Sequence, residues 1–172
     1  MIRCLQVLKV FLFFVLVMGF IPPLAWAKKT FVYCSEGSPS TFNPQLGTDG
    51  PTFNARSRML YARLVDFESG GTKIIPGLAT QWESSKDGLT FTFTLRKGVK
   101  FHSNKSFQPS RDFNADDVLF TFNRQRLRSH PFYQVNGGTY EYFKSMEMDK
   151  IIKDIVKLND YKVKFVLSRP EA

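Results

Sequence analysis

Two segments between Pro76 and His102 show the hydrophobic pattern of a β-hairpin. From Leu89 to Arg96, apolar and polar side chains alternate, which is typical of a strand with one buried face. The preceding segment, Leu78 to Glu83, contains Trp82, which we expect to be its large apolar anchor. Ser85-Lys86-Asp87-Gly88 separates the segments and ends on a residue suited to a left-handed turn position. The pattern predicts a hairpin that packs on an apolar surface.

Strands are also predicted on both sides of this hairpin. Val65 to Ile75 is interpreted as two strands joined at a glycine pair, and Thr30 to Cys34 as the first strand of the mature fold. Ile151–Leu158 and Tyr161–Ser168 flank an Asn-Asp pair, which indicates a closing hairpin.

Helices are predicted at two places. Residues 53–64 have apolar positions compatible with one helical face, whereas residues 35–51 are rich in turn formers and are expected to be irregular. Asn114 suits a helix N-cap, with Asp116 and Asp117 in the first turn. Paired carboxylates also occur at metal and acid–base sites, but adjacent helical residues point about 100° apart. Capping is our interpretation.

The N-terminus indicates export. Arg3 and Lys9 precede an apolar run over residues 10–21, and Ala25-Trp26-Ala27 has the small-x-small pattern of a signal peptidase site. These twelve residues would rise about 18 Å as a helix, short of the roughly 30 Å hydrocarbon core of a bilayer. A signal peptide over residues 1–27 is therefore preferred to a retained anchor.

Composition fits a globular domain with a basic surface. The chain has 172 residues, 43% of them hydrophobic, and a formal net charge of +9. Its basic residues are dispersed and no nucleic-acid-binding motif surrounds them, so we interpret them as a solvated surface and expect no nucleic acid partner. Removal of Cys4 with the signal peptide leaves Cys34 as a single thiol, which is either free and buried or paired outside this chain.

No catalytic chemistry is indicated. His102 and His130 lack metal-ligand spacing, and the chain has neither a nucleophile elbow nor a phosphate-binding glycine loop. We predict no enzyme activity, no metal and no cofactor.

The ordered motif Pro76-Gly77-Leu78-Ala79, Trp82-Glu83, Asp87-Gly88 and Leu95-Arg-Lys-Gly-Val-Lys-Phe-His102 resembles the peptide-binding proteins of bacterial ABC transporters. Within them it is most similar to the dipeptide- and haem-binding branch of extracellular solute-binding family 5. The resemblance implies an α/β fold, namely the N-terminal part of a two-lobed, type II periplasmic-binding-protein-like fold with mixed sheets and flanking helices. Residues 28–51 would supply the first strand and cleft segment of the main lobe, and residues 52–172 a small second domain returning toward it.

The resemblance also implies a ligand site. The turn Thr48, Asp49 and Gly50 would line the cleft, and an acid at Asp49 leaves the ligand preference open because other members can have a small polar residue there. Tyr140 matches a cleft-lining tyrosine, although its aromatic surroundings alone favour packing. Cys34 would pair with a cysteine far along a longer chain, so we expect this chain to be a front portion.

Three functions remain open at this point. The first is a monomeric periplasmic receptor that delivers di- or oligopeptides to permease subunits and meets the membrane only through that transporter. The second is a receptor of the same fold for haem or antimicrobial peptides. The third, from a different class, is an exported hydrolase or a polyanion-binding module.

Overall fold

The computed structural model describes residue 30, residues 32–56 and residues 60–171. The predicted signal peptide, residues 1–27, lies outside the described residues. The chain divides into two compact units, Met1–Cys34 and Ser35–Ala172. In the first unit, Thr30 and residues 32–34 do not form a strand, so the predicted first strand is wrong for these residues. They have no ladder of hydrogen bonds, and β-propensity alone does not supply one.

The second unit is mixed α/β. Its elements in chain order are α1 (Gly50–Arg56), β1 (Val65–Phe67), β2 (Ile74–Pro76), β3 (Ala79–Ser84), β4 (Thr90–Leu95), α2 (Ala115–Arg126), a 3₁₀ turn (Val135–Gly138), α3 (Glu141–Ser145), α4 (Met148–Ile151), β5 (Ile152–Asn159) and β6 (Lys162–Leu167). The predicted α/β class is confirmed, but the sheets of the described residues are antiparallel throughout rather than mixed. Among the described residues, no helix has the length and apolar character needed to cross a membrane.

A four-stranded antiparallel sheet organises this unit. Its order is β3-β4-β6-β5, so both predicted hairpins are confirmed and lie side by side. A separate antiparallel pair, β1 and β2, confirms the predicted strand–turn–strand segment. Gly88 has φ +69° in the β3–β4 turn, the left-handed conformation that this position was predicted to need.

One face of the sheet is covered by α2 and the segments that follow it. The ring of Phe165 on β6 lies 5.6 Å from that of Phe93 on β4 and 5.0 Å from that of Phe122 on α2, both edge-to-face. The buried apolar residues form one cluster: Ala79, Leu95, Phe113, Ala115, Val118, Tyr133, Tyr140, Phe143, Ile152, Ile155, Val163 and Phe165. This cluster fixes α2 against the sheet.

Gly77 permits a close backbone crossing that joins the small strand pair to the main sheet. A Cβ atom at this position would lie 2.4 Å from the carbonyl oxygen of Arg63. The amides of Leu78 and Ala79 donate to the carbonyls of Arg63 and Leu64 at 2.7 and 2.8 Å. A side chain would break this contact, which gives the Pro-Gly-Leu-Ala motif a structural reason.

The helix predicted over residues 53–64 begins and ends earlier. The observed helix α1 spans Gly50–Arg56, and residues 60–64 are not helical. Phe53, Leu60 and Tyr61, which were expected to share a buried face, are exposed. Asp49 provides the helix start, and a capping side chain defines a boundary more directly than a loose apolar pattern does.

The interpretation of Trp82 as the anchor of its strand is wrong. Its side chain is 37% exposed and does not belong to the buried cluster. It lies on β3, an edge strand of the sheet, where a side chain has a neighbouring strand on one side only.

The predicted start of α2 is confirmed in detail. The Asn114 side chain accepts a hydrogen bond from the Asp116 amide at 2.9 Å, and the Asp117 carboxylate accepts one from the Asn114 amide at 2.8 Å. This is a capping box. Arg111 donates to both oxygens of Asp117, at 2.7 and 3.0 Å. The Asp117 carboxylate therefore serves the helix start, whereas the Asp116 carboxylate pairs with the Nζ of Lys157 at 2.9 Å, and the two do not converge on a shared ligand.

Candidate functional site

The turn before α1 is built around Asp49. One carboxylate oxygen of Asp49 accepts a hydrogen bond from the Thr52 amide at 2.8 Å, and its backbone carbonyl accepts one from the Phe53 amide at 2.9 Å. Asp49 therefore satisfies two amide groups of the first helical turn. The flanking residues Thr48 and Gly50 are exposed.

Ser40 fixes this turn from the opposite side. Its hydroxyl donates to the other carboxylate oxygen of Asp49 at 2.5 Å, and its amide donates to the Thr52 hydroxyl at 2.9 Å. Thr52 is fully buried. A Cβ atom at Gly47 would lie 2.5 Å from the Thr52 methyl group, so the chain passes closely over this threonine. Three side chains, Ser40, Asp49 and Thr52, thus hold the turn in one conformation.

Hydrogen bonding lowers the pKa of Asp49 to about 2, from an ordinary value of 3.8. The Ser40 hydroxyl is the largest cause, followed by the Thr52 amide and the Thr52 hydroxyl. Asp49 is therefore ionised at neutral pH, and each of its oxygens has a partner within the turn. In this conformation the carboxylate stabilises the turn, and Thr48 and Gly50 offer the accessible groups.

Tyr140 is fully buried in the core. Its hydroxyl donates to the Tyr133 carbonyl at 2.9 Å and accepts from the Nε of Arg124 at 3.2 Å, while its ring packs edge-to-face on that of Tyr133. These contacts correspond to a packing role. Within the described residues Tyr140 has no exposed surface, so its predicted ligand role stays a prediction.

The structure brings some of the predicted residues together and leaves others apart. Thr48, Asp49 and Gly50 lie in one turn, and among the described residues no hydrogen bond joins this turn to Tyr140.

Sequence reasoning missed Ser40 and Thr52. Asp49 followed by a proline two residues later is a signal for the start of a helix. With Asp49 as the N-cap, its side chain reaches the amide of the third helical residue, which is Thr52, so this signal could have pointed to Thr52.

A second concave feature lies at β3. It is an open groove of about 480 Å³ lined by Pro76, Thr80, Gln81, Trp82, Glu83, Thr92, Thr94 and Lys162. The Nζ of Lys162 lies 3.6 Å from a carboxylate oxygen of Glu83, so the opposite charges of the lining are paired. The predicted ligand-contacting residues are not among its lining residues.

The remaining candidate groups are separate from these features. His102 is exposed, and the Nδ1 of His130 accepts a hydrogen bond from the Phe132 amide at 3.2 Å. Within residues 30, 32–56 and 60–171, no three His, Cys, Asp or Glu side chains are close enough to hold a metal ion. Cys34 is exposed and free among the residues that the structure describes, which is contrary to the expectation of a buried free thiol. Its pairing outside the chain stays a prediction.

Comparison with known protein families shows to which family this chain belongs. The family described as bacterial extracellular solute-binding proteins, family 5 Middle, matches residues 73–172. The chain belongs to the family 5 bacterial extracellular solute-binding proteins. The matched region contains both hairpins and α2, so the family assignment suggested by the Pro76–His102 motif is confirmed.

Characterised relatives of this family 5 protein bind peptides or haem according to their names. It is 57% identical over 144 residues to the dipeptide-binding protein of Escherichia coli K12, which covers 84% of this chain and 27% of that protein. It is 48% identical over 146 residues to heme-binding protein A of Haemophilus influenzae, covering 85% of this chain and 27% of that protein. The chain thus spans about a quarter of the length of these relatives.

Solved structures show the same relationship. A dipeptide-binding protein from Pseudoalteromonas sp. SM9913, in complex with Met-Leu, aligns with a TM-score of 0.78 at 45% identity, covering 81% of this chain and 27% of that one. HbpA2 from Haemophilus parasuis aligns with a TM-score of 0.75 at 48% identity, covering 78% of this chain and 26% of that one. The predicted fold class, part of a type II periplasmic-binding-protein fold, is confirmed.

Proposed function

We propose that this family 5 protein contributes to a periplasmic receptor that captures di- or oligopeptides and delivers them to the permease of an ABC importer. The observation that carries the proposal is the 57% identity to a dipeptide-binding protein over 144 residues. Relatives named as di/tripeptide-binding proteins of Pseudomonas aeruginosa, at 44 to 49% identity, point to the same ligand class.

In this proposal the turn Thr48–Gly50 contributes main-chain groups to the ligand cleft. An amide or carbonyl in a cleft can hydrogen-bond a peptide backbone irrespective of the peptide's side chains, which gives affinity for many sequences. The Ser40–Asp49–Thr52 hydrogen bonds support the proposal because they hold the turn without using Thr48 or Gly50. Residues 28–51 would lie in the main lobe and residues 52–172 in a small second domain, and closure of two lobes would exclude water from the ligand.

Haem is the second candidate ligand. The 48% identity to heme-binding protein A favours it over the substrates of a hydrolase or a polyanion, because this relative is as similar to the chain as several peptide-binding relatives are. A planar apolar ligand needs apolar walls and often an axial ligand. The Thr48–Gly50 turn is polar and exposed, which favours peptide.

The proposal also includes export of the protein, pairing of Cys34 outside this chain, and a role in binding rather than in catalysis. Residues 1–27 would be removed during secretion, Cys34 would pair with a cysteine outside this chain, and the receptor would act as a monomer. We expect no cofactor and no catalysis, in keeping with a family of solute-binding proteins.

A segment exchange tests the peptide assignment. The 144 matched residues replace their counterparts in the E. coli dipeptide-binding protein, and dipeptide binding is measured by calorimetry. We expect affinity within about tenfold of the parent, because about three residues in five are the same. A folded chimaera that lost dipeptide binding, or that gained a haem Soret band relative to the parent, would contradict the peptide proposal.

A variant of the chimaera tests the turn itself. Gly47→Val places a side chain where a Cβ already meets the Thr52 methyl group at 2.5 Å. We expect peptide affinity to fall by at least tenfold while the rest of the sheet stays folded. The matched control is Ser69→Val on the exposed β1–β2 turn, which should bind as the parent chimaera does. Equal affinity in both variants would exclude the turn from the ligand cleft.

A further inference from the structure

The segment between β4 and α2 projects from the core as a closed loop. The Phe113 amide donates to the Val99 carbonyl at 2.9 Å, which joins the two ends of the loop. Val99 and Phe113 both pack in the core, whereas every residue from 100 to 108 is exposed. We call residues 99–113 the β4–α2 loop. Its tip is ordered by a turn in which the Asn104 side chain accepts from the amides of Ser106 and Phe107.

The exposed part of this loop, residues 100–108, carries two lysines and no acid. Between Gly88 and Arg111 the sequence has five lysine and arginine residues and no aspartate or glutamate. Arg111 is paired with Asp117. Lys100 and Lys105 form no ion pair with any described carboxylate, and both are exposed. They lie on a loop with nine consecutive exposed residues, so their charge is available to a partner.

Two phenylalanines share the exposed loop with these lysines. Phe101 is 40% exposed and Phe107 is 53% exposed, and neither ring stacks on another described aromatic ring. Each lies one or two residues from an exposed lysine. A single exposed apolar residue is ordinary. This loop combines phenylalanines with unpaired lysines. That combination binds a lipid bilayer at the boundary between its headgroups and its acyl chains.

We propose that the β4–α2 loop docks on an anionic phospholipid bilayer, with Lys100 and Lys105 at the headgroups and Phe101 and Phe107 at the acyl boundary. Anionic headgroups complement residues 100–108, which carry two lysines and no acid, and each lysine near such headgroups adds to binding while salt weakens it. The proposal adds direct lipid contact to a receptor that was expected to meet the membrane only through its transporter. It does not require peptide binding.

A bilayer fits this loop better than duplex DNA does. Phenylalanine has no donor or acceptor for base edges, whereas an acyl boundary takes up its ring without a polar partner. The loop also lacks the arginine that usually reads bases, except Arg111, which is held by Asp117. Location at a membrane rests on the proposed export of this family 5 protein. Duplex DNA is therefore included as a competing probe.

The test uses the full chain in a background with Cys4→Ser and Cys34→Ser. An environment-sensitive fluorophore is attached to Ser103→Cys on the loop or, as a control, to Ser69→Cys on the β1–β2 turn, both of which are exposed sites. The probes are vesicles of phosphatidylglycerol with phosphatidylcholine, and vesicles of phosphatidylcholine alone. The apolar N-terminal segment is common to both labelled proteins, so only position 103 reports whether the loop reaches the bilayer.

We expect the label at position 103, and not at position 69, to shift to the blue with phosphatidylglycerol vesicles. Lys100→Gln with Lys105→Gln should weaken the response roughly fivefold per lysine. The matched control, Lys73→Gln with Lys86→Gln, removes the same charge from two other exposed turns and should leave the response unchanged. Phe101→Ser with Phe107→Ser should retain attraction at low salt but lose the blue shift.

Several results would overturn lipid docking. One is an equal fluorescence response of the labels at positions 69 and 103. Another is an equal response to both vesicle types. A third is an equal loss of the response in the Lys100/Lys105 and Lys73/Lys86 double variants. A stronger response of position 103 to duplex DNA than to vesicles would assign the loop to nucleic acid instead. Because no peptide is present, these outcomes are independent of the segment exchange that tests peptide capture.

Discussion

The backbone amide of Ser40 donates a 2.9 Å hydrogen bond to the hydroxyl of Thr52, which lies twelve residues further along the chain. This bond crosses the turn that we propose for the ligand cleft, and its acceptor is fully buried. A neighbouring bond from the Ser40 hydroxyl to Asp49 closes the same small network. The conformation of Thr48–Gly50 therefore depends on a threonine that does not face the solvent.

Replacement of this threonine should destabilise the chain. Thr52→Val keeps the shape but removes the acceptor, so the Ser40 amide loses its partner, and we expect a loss of about 1–2 kcal/mol in the free energy of unfolding. Urea denaturation measures the loss. Thr52→Ser keeps the acceptor and should be milder, and Thr72→Val at an exposed turn should change stability by less than about 0.5 kcal/mol. Equal stability of the Thr52 and Thr72 valine variants would contradict a structural role for the hydroxyl.

Asp49 should make stability depend on pH in the acid range. Its pKa is about 2 in the folded chain, below the ordinary 3.8, because the Ser40 hydroxyl and the Thr52 amide donate to the ionised form. A lowered pKa contributes stability above the unfolded value, and this contribution is lost as the pH falls from about 4 toward 2. Asp49→Asn should therefore lose less stability than the wild type over that interval.

Thermal unfolding between pH 2 and pH 5 provides the measurement for Asp49. The informative quantity is the difference in melting temperature between wild type and variant at each pH, since other carboxylates titrate in both proteins. Asp149→Asn, which removes one charge at an exposed site, is the control for net charge. If Asp49→Asn followed the wild type in parallel across the whole interval, the carboxylate would not be stabilised by Ser40 and Thr52.

The sheet could be predicted because its pattern is local. Alternation from Leu89 to Arg96 places Phe91 and Phe93 on one face, and a turn with a left-handed Gly88 fixes the hairpin. The start of α2 could also be predicted from the sequence, because Asn114 and Asp117 form their capping hydrogen bonds within three residues. Both signals need only neighbouring side chains and the backbone.

Features that depend on distant contacts could not be predicted. Trp82 lies on an edge strand, and its position in the sheet order is set by strands far along the chain, so its size alone misled the prediction. The same holds for the Ser40–Thr52 bond, since no spacing rule joins two hydroxyl residues across an irregular loop. Tyr140 shows a further limit, because an aromatic residue beside glycines is typical of both a cleft and a core.

The capping box of α2 should contribute measurably to stability. Asn114→Ala removes the acceptor of the Asp116 amide, and we expect a loss of about 1 kcal/mol, whereas Asn114→Gly should cost only a few tenths. Urea denaturation of both variants gives the comparison. Alanine and glycine variants of equal stability would argue against side-chain capping at Asn114.

The hydroxyl of Tyr140 provides the sharpest test of whether this residue belongs to the core or to a ligand. Tyr140→Phe leaves the Tyr133 carbonyl and the Arg124 Nε without their partner, so we expect a loss of about 1–3 kcal/mol in the free energy of unfolding, measured without peptide. Tyr142→Phe, on a half-exposed ring in the next position but one, is the control and should stay within about 0.5 kcal/mol. A neutral Tyr140→Phe would mean that the buried contacts do not need the hydroxyl. In that case the hydroxyl would be free to serve a ligand, as the resemblance to the dipeptide-binding branch implies.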